Sequence, residues 1–268
     1  MTNTSQGTAL VTGASSGIGA TYADRLARRG YDLILVARDA QRMETLGARL
    51  RAETGVKVEV LPADLTAEAD VARVAERLAS DAGITLLINN AGMSLNGGIL
   101  ENGPDQLNRI IALNVTAPTL LASAAGKAFA ARGRGAIVNI ASVLAMAPET
   151  FDGVYTGTKA YLLNLSLSLA AQGKEKGFYA QAVLPGATRT EIWERSGKDV
   201  DSLPEDMVMD VGDLVDAALT GFDRRETVTI PPLADEGLWT TYNDARVALL
   251  PHLSRRDVAA RYRQAVTA

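Results

Sequence analysis

The chain has 268 residues, of which 47% are hydrophobic and 22% charged, and its net charge is −4. That is enough apolar material for one large core and excludes a disordered chain, while the negative balance argues against a broad electrostatic affinity for nucleic acid. Cysteine is absent and His252 is the single histidine, which excludes disulfides and thiolate chemistry and leaves a zinc site only carboxylates and one imidazole.

The N-terminal residues 1–7 are short and polar, without an apolar signal core, and no run approaches 18 apolar residues. The expectation is a cytoplasmic protein with no membrane partner. Seven short apolar runs then follow: Thr8–Thr12, Asp32–Ala37, Lys57–Leu61, Thr85–Asn89, Ala136–Ala141, Tyr179–Leu184 and Thr227–Ile230. Most are continuously apolar, the mark of strands covered on both faces as in a parallel sheet. Helix-length segments with apolar residues three and four apart separate them, such as Ile18, Tyr22 and Leu26, or Val71, Val74 and Leu78. This alternation predicts right-handed crossovers and an α/β fold with a doubly wound, seven-stranded parallel sheet. One domain over residues 1–268 is expected, with a core over 7–230.

The first strand runs into Thr12-Gly13-Ala14-Ser15-Ser16-Gly17-Ile18-Gly19, after which a helix begins. Glycines allow tight turns and close approach of a ligand, and a helix N-terminus offers free N–H groups to a pyrophosphate. The spacing is G-x3-G-x-G rather than G-x-G-x-x-G.

Tyr155 and Lys159 stand four apart at the start of a helical segment, so both side chains leave one face. At ~4 Å and an effective dielectric of ~20, an ammonium ion favours the phenolate by about 4 kcal/mol before desolvation opposes it. A tyrosine poised near neutrality can give a proton to a carbonyl oxygen or take one from an alcohol. The predicted effect of the pair is therefore a lowered Tyr155 pKa.

Taken in order, Thr12–Gly19, Asp64-Leu65, Asn89-Asn90-Ala91-Gly92, Asn114, Ser142, Tyr155-x3-Lys159 and Pro185-Gly186-Ala187-Thr188-Arg189-Thr190 resemble the short-chain dehydrogenase/reductase family, over roughly residues 5–230. The resemblance implies a Rossmann-like fold and hydride transfer to or from a nicotinamide cofactor. It implies Tyr155 as the acid/base, Lys159 as its activator and a grip on the ribose hydroxyls, and Ser142 as a second hydrogen-bond donor to the substrate oxygen. Asn114 would hold a water that relays protons to Lys159; the alternative is an amide satisfying a helix break. Gly13, Ser15, Ser16, Gly17, Ile18 and Gly19 would cradle the phosphates. Asp64 and Leu65 would meet the adenine edge, unless Asp64 caps the following helix. Asn90, Ala91 and Gly92 would line the ribose and adenine side, Pro185-Gly186 the nicotinamide, and Thr188 and Thr190 its carboxamide and the phosphates.

The end of the second strand reads Val36-Ala37-Arg38-Asp39. Ala37 stands where the family's NAD users carry an acid, and Arg38 suits a 2′-phosphate. NADP(H) is expected over NAD(H), with Ser15 as a second phosphate ligand, although Ser16 replaces the basic residue of many NADP users. Asp39 reads as the cap of the next helix.

The substrate pocket is expected from residues 93–96, 143–151 and an irregular lid over 186–209, with Met93, Leu144 and Trp193 in contact with substrate beside Ser142 and Tyr155. Its apolar character favours an apolar ketone, aldehyde or secondary alcohol, so a carbonyl reductase or alcohol dehydrogenase is expected. A catalytically silent cofactor-binding sensor or scaffold, and a lyase or epimerase on the same fold, are the alternatives. The helix after Tyr155 is apolar nearly all round (Tyr161, Leu162, Leu163, Leu165, Leu167, Leu169), which predicts a homodimer or homotetramer through it, or else burial under the C-terminal helices. Beyond Pro231-Pro232, two amphipathic helices are expected over 233–267, the first along Leu238, Trp239, Tyr242, Ala245 and Leu249, the second from an N-cap at Ser254 with Val258 and Tyr262 turned inward.

Overall fold

The protein is described by a computed structural model covering residues 6–263. Seven parallel strands form one sheet: β1 (Thr8–Thr12), β2 (Asp32–Ala37), β3 (Val58–Pro62), β4 (Ile84–Asn89), β5 (Ala136–Ile140), β6 (Tyr179–Val183) and β7 (Val228–Thr229). Their spatial order is β3-β2-β1-β4-β5-β6-β7. The chain winds outward in both directions from β1 and β4, so the order reverses between those two strands. In such sheets ligands bind outside the carboxyl ends at that reversal.

Nine α-helices are described: α1 (Gly17–Arg28), α2 (Ala40–Thr54), α3 (Glu68–Ser80), α4 (Pro104–Ile111), α5 (Ala117–Arg132), α6 (Gly153–Lys176), α7 (Ile192–Arg195), α8 (Val211–Asp223) and α9 (Glu236–Ala248). The alternation of strand residues explains the two cores. Ala9 and Val11 face α1, α2 and α8 with Tyr22, Leu26, Met43, Leu50, Leu214 and Leu219. Leu10 between them faces the opposite layer, with Val74, Leu78, Leu121, Phe129 and Leu169. Both faces of the inner strands are covered, which is why they are mostly apolar, while the edge strand β3 leaves Glu59 exposed.

α4 and α5 are joined by one turn of π-helix, Ala112–Thr116. The resulting segment Pro104–Arg132 is long and apolar enough to cross a membrane by length and composition. Here Ala117, Leu121, Ala125 and Phe129 are buried in the core beside the sheet, which accounts for that composition.

β1 and β2 coincide with their predicted runs; the other strands differ by one residue at one or both ends, and β7 keeps only two residues. The lid is not structureless: it holds α7, two single 3₁₀ turns at Val200–Ser202 and Glu205–Met207, and a bridge between Thr188 and Met209.

A second compact unit begins at Leu233. Asp235 caps α9 by accepting from Gly237 N at 2.8 Å. The expected second helix from Ser254 does not form among the described residues; only 3₁₀ turns at Leu250–His252 and Ala260–Tyr262 follow, with Val258 and Tyr262 exposed. Pro251 interrupts the chain ahead of this segment, and Val258 and Tyr262 are left exposed, without the packing that sustains a short helix in water. Residues 264–267, which the expectation also covered, lie outside the described residues.

Candidate active site

At the carboxyl ends of β1, β2 and β4 lies a cleft of about 820 Å³, floored by the glycine loop. Of the predicted residues, Gly13, Ser15, Ser16, Gly17, Ile18, Arg38, Asp64, Leu65, Asn90, Ala91, Gly92, Met93 and Thr190 line it. Gly13 and Gly17 have φ of +66° and +52°, a backbone that side-chain-bearing residues rarely adopt. A Cβ on Gly19 would run into the Gly13 carbonyl and crowd the Asn90 amide. The α1 N-terminus thus opens onto the cleft with its first N–H groups bare of side chains. The resemblance implies a dinucleotide here, and this cradle and the cleft's size fit one.

The loop is pinned by buried and part-buried bonds. Thr12 Oγ1 accepts from Asn90 N at 2.9 Å and Ala91 N at 3.0 Å, and donates to Ile88 O at 3.2 Å. Asn90 Nδ2 donates to Thr12 O at 2.9 Å. Asn90 therefore ties β4 to the loop with its side chain, a use that its place in a motif does not disclose.

On the second strand's side, Asp39 caps α2, accepting from Arg42 N at 2.9 Å. Arg38 is exposed in the cleft wall, and its side chain makes no hydrogen bond among the described residues. Asp64 accepts from Thr66 N and Thr66 Oγ1 in a local turn, and α3 starts farther on, after Ala67, so Asp64 is not its cap. These bonds from Thr66, helped by the charges of Arg38 and Arg109, outweigh burial and hold its carboxyl below the usual range.

Tyr155, Ser142 and Lys159 meet beside the cleft rather than in its wall. Ser142 follows β5, is buried, and accepts from Leu144 N at 3.1 Å; its hydroxyl also lies 3.5 Å from Pro185 O and is near enough to Tyr155 to act on its phenol. Asp152 caps α6 through Val154 N and Tyr155 N, which fixes where the Tyr155 side chain leaves the helix. Lys159 Nζ donates to Ile140 O at 2.9 Å and lies next to Gly92, on the cleft floor.

The predicted lowering of the Tyr155 pKa is not found. Burial pushes its hydroxyl up to about 12, against the opposing influence of nearby Ser142, and burial brings Lys159 down to about 8. Lys159 directs its hydrogen bond to a carbonyl, not to the phenol, so desolvation decides both values.

Asn114 sits in the π-turn. Its amide donates to Met93 O and Thr158 Oγ1 and accepts from Met93 N, all within 3.1 Å. Its side chain thus clips the loop after β4 to α6; none of these bonds goes to the backbone of the helix break itself. Pro185 is buried at the end of β6 and accepts from Val143 N, with Gly186 next to it. Thr188 is buried, and its carbonyl receives Trp193 Nε1 at 2.8 Å. Trp193 is therefore held within the lid, while Leu144 lies half-buried in the turn after Ser142.

Sequence reasoning missed Arg109 and Arg195 in the cleft wall, the Thr12 bonds and the Asp152 cap. Arg195 reaches Ser16 Oγ at 3.4 Å and pairs with Glu191, which also binds Arg42 at 2.9 Å. An Asp just ahead of a helix was a readable signal; nothing marks the arginines, whose positions depend on how the lid folds back.

A glycine-floored cleft at the sheet's reversal, with a tyrosine, serine and lysine converging beside it, defines a Rossmann-type oxidoreductase. The family model for short chain dehydrogenases matches residues 7–201, and the chain belongs to that family. It is 31% identical over 186 residues to human 17-beta-hydroxysteroid dehydrogenase type 3, a match spanning 69% of this chain and 60% of that enzyme's length. A short-chain dehydrogenase from Sphingobium yanoikuyae in complex with NADPH superposes with a TM-score of 0.93 at 55% identity, covering 96% of this chain and all of the other. The bulky-bulky ketone specific alcohol dehydrogenase from Comamonas testosteroni gives a TM-score of 0.89 at 49% identity over 97% and 99% of the two chains.

Proposed function

We propose that this oxidoreductase interconverts a ketone or aldehyde and its alcohol using NADP(H). The observation that carries the reading is the convergence of Tyr155 and Ser142 beside the cleft, with Lys159 one helical turn away and next to the cleft floor at Gly92. A bound nicotinamide supplies the hydride. Tyr155, with its pKa raised to about 12, keeps its proton at neutral pH and can donate it to a carbonyl oxygen. Ser142 offers a second hydroxyl to the same oxygen. Lys159 brings positive charge to the side of the cleft where negative charge develops.

Support for NADP(H) comes from Ala37 in place of an acid, from the uncommitted Arg38 guanidinium in the cleft wall, and from the NADPH bound to the Sphingobium relative. The partly buried apolar side chains of Met93, Leu144 and Phe151, and the ketone specificity of the Comamonas relative, support a bulky, largely apolar substrate. We propose also a homo-oligomer through α5 and α6, where Leu120 and Tyr161 are exposed and Tyr161 Oη lies 2.8 Å from Thr119 Oγ1. Sedimentation as a monomer at micromolar concentration would overturn that assembly.

The test is NADPH oxidation with a panel of aryl ketones. Tyr155→Phe should lower turnover by roughly 10²- to 10⁴-fold with NADPH affinity retained. Unaltered turnover in that variant removes the proposed chemistry.

A further inference from the structure

The lid carries a cation that this chemistry does not use. Lys198 follows the turn that ends α7, and its backbone N–H donates to Trp193 O at 2.9 Å. Its Nζ lies 3.6 Å from the centroid of the Phe151 ring and 3.3 Å from Ser94 Oγ. Phe151 meets Tyr155 edge-on, with the ring centroids 5.6 Å apart. Ser94 lines the cleft directly after Met93. The ammonium therefore spans from the lid to both walls of the substrate end, one ring contact away from the proton donor.

That cation lacks a close counter-charge. Among the described residues no carboxylate lies within ion-pair distance of it. Asp152 acts on it only from farther off, with its carboxylate already accepting from Val154 N and Tyr155 N. Apart from one hydrogen bond to a serine hydroxyl and the Phe151 ring face, the ammonium has no acceptor among the described residues. Burial pulls its pKa below the ordinary lysine value, as follows for an ammonium short of water. An anion brought to such a group gains more than it would at a solvated surface lysine.

We propose that Lys198 is a specificity-determining residue that receives a carboxylate carried by the carbonyl substrate, remote from the reacting oxygen. The preferred substrates are then ketones with an apolar body and one anionic group. The body lies along Met93, Leu144 and Phe151, and the charge lies under the lid. This rests on the carbonyl-reductase reading and narrows its substrate class.

The experiment compares benzoylpropionate with its methyl ester, the same aryl ketone with and without the charge. In the wild-type protein kcat/KM for the acid should exceed that for the ester by about tenfold or more. Lys198→Met should bring the ratio to near one, and Lys198→Arg should keep it. A ratio near one in the wild type, or a ratio that survives Lys198→Met, overturns the proposal. Calorimetric titration with phenylbutyrate in the presence of NADPH reads the same contact without turnover. Lys198→Met should weaken that binding about tenfold, and equal affinity overturns the proposal. If neither ketone is reduced while phenylbutyrate binding still depends on Lys198, it is the carbonyl-reductase reading that fails, not the anion site.

Discussion

Lys159 Nζ stands 5.6 Å from the centroid of the Tyr155 ring and gives its hydrogen bond to the carbonyl of Ile140. The two groups are neighbours but not bonded partners, and both are desolvated. The state set by these environments at neutral pH is a phenol beside an ammonium ion, which is the pair that a reduction needs.

The pH dependence follows with a definite sign. Tyr155, raised to about 12, does not titrate in the working range, whereas Lys159, lowered to about 8, does. The charged form exists below that value. Reductive kcat/KM should therefore be level toward neutrality and fall as the pH rises through about 8. Initial rates of NADPH oxidation across the alkaline range check this; a reductive rate that climbs through the same interval contradicts it.

Stability and activity should separate at Lys159. Its folded pKa lies below its unfolded value, so the folded state holds the proton less tightly. Charged Lys159 opposes folding below about pH 8, and that opposition is relieved as the pH rises from about 8 toward the unfolded value of 10.5. The penalty is on the order of 3 kcal/mol, offset in a variant by about 1–3 kcal/mol for leaving the Ile140 carbonyl unpaired. Lys159→Met is expected to melt at or above the wild-type temperature at neutral pH while losing reductase activity. Calorimetry at several pH values should show the gap shrinking in alkali; a variant that melts several degrees lower throughout contradicts the argument.

Gly19→Ala tests the glycine cradle. The added methyl meets backbone at Gly13 and the Asn90 amide, neither of which can swing aside while the Thr12 bonds hold. NADPH affinity should fall by about tenfold or more in a fluorescence titration, with far-UV circular dichroism unchanged. Undiminished affinity would show that the loop is not the phosphate seat.

Arg38→Ala tests the choice of cofactor. A hydrogen bond to a charged group contributes about 1.5–3 kcal/mol, so NADPH should bind roughly 10- to 150-fold more weakly while NADH binding stays nearly constant. Equal catalytic efficiency with both cofactors in the wild-type protein would refute the role of Arg38.

Much of the frame was legible because inner strands covered on both faces demand mostly apolar runs, and because a phosphate seat demands glycines in a narrow pattern. The Asp39 cap was legible for the same local reason. What escaped the sequence depends on partners distant along the chain. Spacing placed Lys159 beside Tyr155 but carried no measure of desolvation, so it gave the wrong sign for the Tyr155 shift. Asn114 was assigned by motif, while its bonds to Met93 and Thr158 depend on how the π-turn faces α6. Lys198 and Arg195 lie in a lid without periodicity, where no pattern tells which way a side chain points. After Pro251, apolar spacing suggested a helix whose apolar face, at Val258 and Tyr262, has no core to pack on among the described residues.

The Thr12 hydroxyl, with one buried and two part-buried bonds, and the exposed pair Arg42–Glu191 that ties the lid to α2 give the cleft two unlike jaws. The first is a fixed anvil, largely withdrawn from bulk ions; the second is a clamp whose grip electrolyte weakens. Raising ionic strength should thus speed the exit of product from beneath the clamp and leave the shape of the anvil untouched.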